Sequence, residues 1–321
     1  MRVRAVGFMQ FGGPEVLEEL DIEETHAGPG EVRVKVSAVA VSPSDTMSRS
    51  GGVRDIMLQI DPNFQFPPPP YIVGWDAAGV VDEIGPDTDA GLSVGDRVVA
   101  IADPMTMRGA YMEYLVVPVG SVVAAPSNVD DEAACTLPMN GLTARLALDK
   151  LALPAGSTIA VTGSAGTFGG YVVELAKADG LRVIADASEA DEELVRKLGA
   201  DVVVRRGPEV AKAIREVAPD GVDALVDGSV QDDAVLDAVR NGGAIVTVRN
   251  YVGPDERGIS WIPIYVNEYL TDRPRLDALA RQVEAGQLTL RVAGTYPAEK
   301  AAEAHQRMQA GGVRGRLVLT F

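Results

Sequence analysis

The chain has little with which to cross-link itself or to attract an anion. It holds one cysteine, Cys135, in 321 residues, so no internal disulfide can form. Basic residues are also short: 29 Lys and Arg against 46 Asp and Glu leave a formal charge of −17. A surface of that sign repels phosphate backbones and anionic lipid, which excludes nucleic acid and membrane as partners. No run approaches the roughly 18 apolar residues that span a bilayer. The opening stretch, MRVRAVGFMQFGGPE, lacks the apolar core of a signal peptide. The expectation is a cytoplasmic globular protein of two domains, at about 150 residues each, large enough to bury a core without disulfides or structural metals.

What is present falls into two textures. In the first third, Val32, Val34, Val36, Ala38 and Ala40 alternate with Arg33, Lys35 and Ser37, the two-residue period of a half-buried strand. The runs Ala77 to Gly85, Val94 to Ile101 and Ala110 to Pro118 continue it between Gly, Pro and Asp turns, which predicts an antiparallel barrel or sandwich. Residues 51–70, ending in four prolines, read as one long loop, either a pocket rim or a surface excursion. From about Leu151, apolar strand runs (157–162, 181–185, 201–205, 222–226, 244–249) alternate with helical segments (189–198, 208–217, 232–240). That order predicts a doubly wound parallel sheet. Helices ending at Glu284 and Gln309 and a strand over 315–321 follow.

The first strand of the second texture runs into Gly163, Ser164, Ala165, Gly166, Thr167, Phe168 and Gly169, and then into a helix. In a strand, glycine turn, helix unit, the first glycine permits the turn and the second lets the backbone approach a pyrophosphate. The third lets helix and strand pack closely, and the helix start offers free N–H groups to the anion. The spacing is GxxGxxG, and its context carries it: the next strand ends in a carboxylate, Asp186, 17 positions after Gly169. Asp186 suits a ribose diol and repels a 2′-phosphate, favouring NADH, unless it caps the following helix. Ser188, or Arg205 or Arg206 after the third strand, would be the groups to meet a phosphate.

Eight blocks in order then carry a resemblance: FGGPEVLE (11–18), PGEVRVKVSAVAVSPSD (29–45), VGWDAAGVVDEIG (73–85), LSVGDRVVA (92–100), AACTLPMNGLTA (133–144), LGAD (198–201), VDALVDG (222–228) and GRLVLTF (315–321). The chain resembles the zinc-independent quinone oxidoreductase branch of the medium-chain dehydrogenase/reductase superfamily over nearly its whole length. The resemblance implies a GroES-like catalytic domain over residues 1–121 and 275–321, and a Rossmann domain over 122–274. Zinc-using relatives place a histidine and a cysteine where this chain has Trp75 and Ser42, so neither a catalytic nor a structural zinc is expected. His26 and His305 read as ordinary surface residues, and Cys135 as a small core residue.

Without a metal to steady an alkoxide, a conjugated acceptor fits best, because hydride addition to a quinone or enone leaves a delocalised oxyanion. The expected activity is NAD(P)H-dependent reduction of such a small molecule. The alternatives are an enoyl reductase of a secondary-metabolite intermediate and a non-catalytic dinucleotide-binding protein. The resemblance favours NADPH, against Asp186, and implies a homodimer. It also implies that Ser42 and Asp45 face the nicotinamide, unless Asp45 only caps a turn. Asn140 and Thr143 are placed near the nicotinamide or phosphates, or else at a helix start. Asp227, Gly228, Val248 and Arg249 are placed at strand ends beside the cofactor, and Arg316 near it, or as a solvated strand-end group. Tyr71, Trp75 and Tyr251 are candidates for the substrate pocket or for plain packing.

Overall fold

The computed structural model describes residues 1–103, 105 and 107–321, and the chain divides into two compact units. One comprises Met1–Met139, Leu270–Glu284 and Leu290–Phe321; the other comprises Asn140–Tyr269 and Ala285–Thr289.

In chain order the first unit begins with strands β1 (Arg2–Gly7), β2 (Glu18–Glu23) and β3 (Glu31–Val41) and helices α1 (Pro43–Ser50) and α2 (Gly52–Ile60). Strands β4 (Asp76–Ile84), β5 (Arg97–Ile101), β6 (Tyr114–Pro118) and β7 (Val122–Ala124) follow, then helix α3 (Asp131–Ala134) and the first two residues of α4 (Pro138–Leu151), which belongs to the second unit from Asn140 onward. β3 shows why the two-residue period works: Val32, Val34 and Val36 are buried while Lys35 is exposed. From Ala38 onward almost every residue is buried, so the alternation stops where both faces are covered. β3 pairs antiparallel with β4 and β6, and β4 with β5. Cys135 is fully buried as expected, and burial pushes its thiol well above the ordinary range.

The second unit holds β8 (Thr158–Thr162), α5 (Thr167–Ala178), β9 (Arg182–Ala187), α6 (Glu192–Lys197), β10 (Val202–Arg205), α7 (Val210–Val217), β11 (Val222–Asp227), β12 (Val239–Thr247) and β13 (Ser260–Pro263). The strands form one parallel sheet in the order β10-β9-β8-β11-β12-β13, the doubly wound arrangement expected. The chain then returns as α8 (Arg273–Glu284), β14 (Val292–Pro297), α9 (Ala301–Gln309) and β15 (Arg316–Thr320). β15 lies between β14 and β3 in the first unit's sheet, pairing Leu317 with Val41.

Three expectations need correction. Residues 52–60 are helical rather than looped, with glycine serving as a start and the prolines lying beyond the end, so only 61–70 form the connection. Residues 232–238 form a run of 3-10 turns rather than an α-helix, and β12 starts at Val239, so Arg240 sits in a strand. The unit boundaries also lie later than 121 and earlier than 275. β7 pairs with β5, which keeps residues 122–124 in the first unit, and the Ser121 hydroxyl donates to the Leu270 carbonyl at 2.7 Å. Among the described residues no helix is long and apolar enough to cross a membrane.

Leu115 on β6 is 1% exposed within the first unit's core. Truncation to Ala removes buried methyl groups and leaves a cavity, so the urea midpoint of that unit is expected to fall by the equivalent of about 3 kcal/mol.

Candidate active site

In the second unit, Thr162 ends β8 and Gly163 takes φ +70°, a left-handed turn that a side chain resists. A Cβ on Gly169 would lie 2.4 Å from the Gly163 carbonyl oxygen, so α5 packs on the loop only because that position is glycine. Gly166 is the N-cap of α5 and, having no side chain, gives none to the first N–H groups of this twelve-residue helix. The loop is therefore a cradle of backbone donors at a positive helix end, suited to a diphosphate. Ser164 turns inward, its hydroxyl donating to the Val161 carbonyl at 2.8 Å, and Ala165 and Thr167 are buried beside it. Phe168 is half-buried, and a Cβ on Gly228 would lie 3.2 Å from its ring.

Asp186, at the end of β9, is 3% exposed. Its Oδ1 accepts the Ser164 N–H at 3.1 Å, so the carboxylate serves the glycine loop and does not cap the next helix. Its Oδ2 is buried and has no partner among the described residues. Burial pushes this carboxyl above its ordinary value, against the Ser164 N–H and the Arg206 charge. Ser188 donates to Asp191 at 2.5 Å, and Arg206 is exposed. At the end of β11, Asp227 is 1% exposed and spends its carboxylate on the protein. It accepts from the Thr162 hydroxyl at 2.6 Å and from the N–H groups of Gln231 and Asp232 at 2.7 and 2.9 Å. Val248 and Arg249 lie just past β12, with Arg249 and Asn250 both at positive φ, 69° and 62°. Asn140 is half-buried and Thr143 buried, both on α4. Tyr251 donates to Asp233 at 2.6 Å, which pushes its hydroxyl up to about 12. Its ring stands edge-on to Trp261.

In the first unit, Ser42 caps α1 and Asp45 completes the capping box, its Oδ2 accepting the Ser42 N–H at 2.7 Å. Both are fully buried, and the capping role left open for Asp45 is the one its Oδ2 performs. Arg316, on β15, is not solvated: at 2% exposure it donates to Asp76 Oδ2 at 2.8 Å, to Ser42 Oγ at 2.7 Å and to the Val41 carbonyl at 3.2 Å. Asp76 Oδ1 accepts the Met139 N–H at 2.6 Å. Burial raises the Asp76 carboxyl, and the Arg316 charge opposes the rise. Trp75 is 8% exposed with its Nε1 unpartnered among the described residues, and Tyr71 stacks on Phe11 with centroids 5.0 Å apart.

Three polar residues of this unit escaped the sequence reading. Arg49, Tyr111 and His305 are all fully buried and hydrogen-bonded around Asp45, so the surface role expected of His305 is wrong. His305 lies on α9, whose inner face is packed against the first unit's core, and that burial removes it from solvent. His26 is exposed as expected and pairs with Glu83 at 3.0 Å. The spacing of Asp45 and Arg49, four apart on α1, was the one local signal for this cluster.

Comparison with known proteins agrees with this fold. The alcohol dehydrogenase GroES-like domain family matches residues 28–127, and the family described as zinc-binding dehydrogenase matches 198–319. A quinone oxidoreductase of Pseudomonas aeruginosa is 29% identical, over 98% of this chain and 99% of its own. A trans-enoyl reductase of Aspergillus terreus is 30% identical over 68% of this chain and 76% of its own. The chain belongs to the quinone oxidoreductase branch of the medium-chain dehydrogenase/reductase superfamily. A mycobacterial member solved with NADPH superposes with a TM-score of 0.83 at 28% identity, over 99% of this chain and 100% of that one.

As a member of this branch the protein is an oxidoreductase that works with a nicotinamide dinucleotide. The donor cradle of α5 and the unpartnered Asp186 Oδ2 fit such a group, the first for a diphosphate and the second for a hydroxyl. The fit to zinc is poor. Ser42 and Trp75, which the resemblance sets at the places of the soft ligands, carry neither thiolate nor imidazole, and among the described residues no cluster of three or more His, Cys, Asp or Glu is placed to hold a metal.

Gly169→Ala forces α5 away from Gly163 and opens the cradle. Dinucleotide affinity, read by nicotinamide fluorescence or calorimetry, is expected to fall at least tenfold, about 1.4 kcal/mol, while urea unfolding stays cooperative.

Proposed function

We propose that the protein reduces a quinone or another activated α,β-unsaturated carbonyl compound with NAD(P)H and without a metal. The reading is supported by Ser42 and Trp75, which the resemblance sets at the places of the soft ligands, and is carried by the observation that Ser42 Oγ is already held by Arg316 at 2.7 Å. A site with no Lewis acid needs an acceptor whose oxyanion is delocalised, and conjugated carbonyls provide one. The relatives named as a quinone oxidoreductase and a trans-enoyl reductase both fit that class of acceptor.

The residues divide the work as follows. The second unit is the dinucleotide-binding domain: the N–H groups opening α5 hold the diphosphate, and Asp186 receives a ribose hydroxyl at Oδ2. Asp227 holds the 229–232 loop and Thr162 in one arrangement, so the ends of β8 and β11 are fixed beside the cradle before any ligand arrives. Gly228, Val248 and Arg249 complete the strand-end rim, with Asn140 and Thr143 contributing from α4. Within the first unit, Asp45 fixes Ser42 at the head of α1 through the Ser42 N–H, and Ser42, Trp75 and Tyr71 are the groups proposed to meet a ligand; in the second unit Tyr251 is the proposed apolar contact. When bound, the reduced nicotinamide supplies the hydride; the protein supplies orientation and exclusion of water. We place the enzyme in the cytoplasm, as a homodimer.

NADH is the proposed donor ahead of NADPH. A 2′-phosphate would have to sit beside the buried Asp186, and the hydroxyl of Ser188, the nearest group able to receive it, is committed to Asp191. Glu189 adds charge of the wrong sign, Glu192 and Glu193 are paired with Arg196 and Lys197 at 2.8 and 2.7 Å, and the Arg206 charge acts on Asp186. The NADPH-bound mycobacterial relative argues the other way. Wild-type protein is expected to bind NADH at least tenfold more tightly than NADPH, about 1.4 kcal/mol, with Asp186→Ser closing the gap. Tighter NADPH binding by the wild type overturns the preference.

A turnover screen with both cofactors against quinones, enones and simple aldehydes, run with and without a chelator, tests the reaction. Turnover of quinones or enones that survives chelation is expected. Loss of rate on chelation, or activity confined to aldehydes, refutes the metal-free reading. Cofactor binding with no oxidation of either donor shows a binding protein instead.

A further inference from the structure

The buried cluster around Asp45 has a direction. Arg49 is fully buried and its Nε donates to His305 Nδ1 at 3.3 Å. A guanidinium has only donors, so Nδ1 must carry the lone pair, and His305 is neutral with its proton on Nε2. That Nε2 lies 3.2 Å from the Tyr111 oxygen, which then accepts. The Tyr111 hydroxyl has one proton, and it points to Asp45 Oδ2 at 3.2 Å. Asp45 Oδ2 thus receives two donors, Tyr111 and the Ser42 N–H, whereas Oδ1 is buried with no partner among the described residues.

A bare carboxylate oxygen enclosed in this way is costly; a neutral carboxyl with its proton on Oδ1 is much less so. The charges facing Asp45 do not reverse this. Arg316, from β15, is already paired with Asp76 of β4, which is itself buried and acidic. Arg49, on the same helix, gives its Nε to His305 and its Nη1 to the Gly12 carbonyl at 2.6 Å, its Nη2 has no partner among the described residues, and Glu15 is the carboxylate whose charge acts on it.

We propose that Arg49, His305 and Tyr111 form a one-way chain of donors ending on Asp45, so that folding in mildly acidic solution moves one proton from His305 to Asp45. The unfolded chain there has a charged imidazole and a charged carboxylate; the folded chain has neither. No proton is taken up or released overall, because the one lost from His305 Nδ1 is balanced by the one gained at Asp45 Oδ1. His305 is then a positioning residue: it fixes the Tyr111 hydroxyl on Asp45, and Asp45 fixes the head of α1.

The titration behaviour agrees in direction. Burial pushes Asp45 up from 3.8 to about 7, opposed by the Ser42 N–H and by Arg316 and reinforced by Asp76. Burial, then the Arg49 charge, pushes His305 down from 6.5 to about 3. A carboxyl raised on folding stabilises the fold at low pH and loses that contribution as pH rises toward 7. A histidine lowered on folding stabilises it near neutrality and loses that contribution as pH falls toward 3.

His26 and His305 are the chain's two histidines, so an imidazole 1H–15N spectrum of the intact protein shows two spin systems. Between pH 7 and 4, the His305 spin system is expected to stay neutral with its proton on Nε2. Urea stability of Asp45→Asn, relative to wild type, should improve as pH rises from 4 to 7, and that of His305→Gln should improve as pH falls over the same window. A proton on His305 Nδ1, titration of His305 above pH 5, or differences that move in the same direction overturn the proposal. The spectrum needs no variant, so a substitution that fails to fold leaves the test intact. Neither readout depends on turnover, so a wrong substrate class in the reductase reading does not affect it.

Discussion

Arg316 and Asp76 meet at 2.8 Å with exposures of 2% and 0%, and the first unit is organised around that contact. Two charges so deeply enclosed are tolerable only as a pair, and removing either leaves the other stranded. The pair gains further donors and acceptors from three sides: Ser42 Oγ, the Val41 carbonyl and the Met139 N–H. It thereby ties β15 to the end of β3, the head of α1 and the start of β4 and α4. Ser42 reaches its place because Arg316 and Asp45 hold it from opposite ends.

A second principle governs the other unit, where the constraint is distance rather than charge. The helix after the glycine loop can lie against its strand only where no Cβ intervenes, as the 2.4 Å separation from Gly169 to the Gly163 carbonyl requires. With glycine at the N-cap no side chain covers the helix start from that position, which suits the loop to an anion. Asp186 and Asp227 then brace the loop from the two neighbouring strands.

Much of this was legible in the chain because the signals were local. The loop from Gly163 to Gly169 lies between a strand and a helix that are contiguous with it, and the parallel order follows from the alternation of strand and helix. The segment 232–238 was misread because Val235, Leu236 and Ala238 are apolar at a spacing that suits either helix type. Residues 52–60 were misread because the glycines before them and the prolines after them outweighed the amphipathic stretch between. The cluster at Asp45 was largely invisible for a different reason. Tyr111 is 66 residues away and His305 a further 194, and no periodicity joins residues that meet only through tertiary packing. The same holds for Arg316, whose partner Asp76 lies 240 positions earlier.

That separation bears on how the molecule is made. β15 sits inside the first unit's sheet, between β14 and β3, yet its residues leave the ribosome after those of the whole parallel sheet. The N-terminal strands must therefore wait, their edge at β3 open and Asp76 without its cation, until residue 316 has been synthesised. The second unit draws nearly all of its chain from one continuous stretch and has no such delay. Biosynthesis thus closes the later-encoded sheet first, and the earlier-encoded one is the segment that needs shelter on the nascent chain.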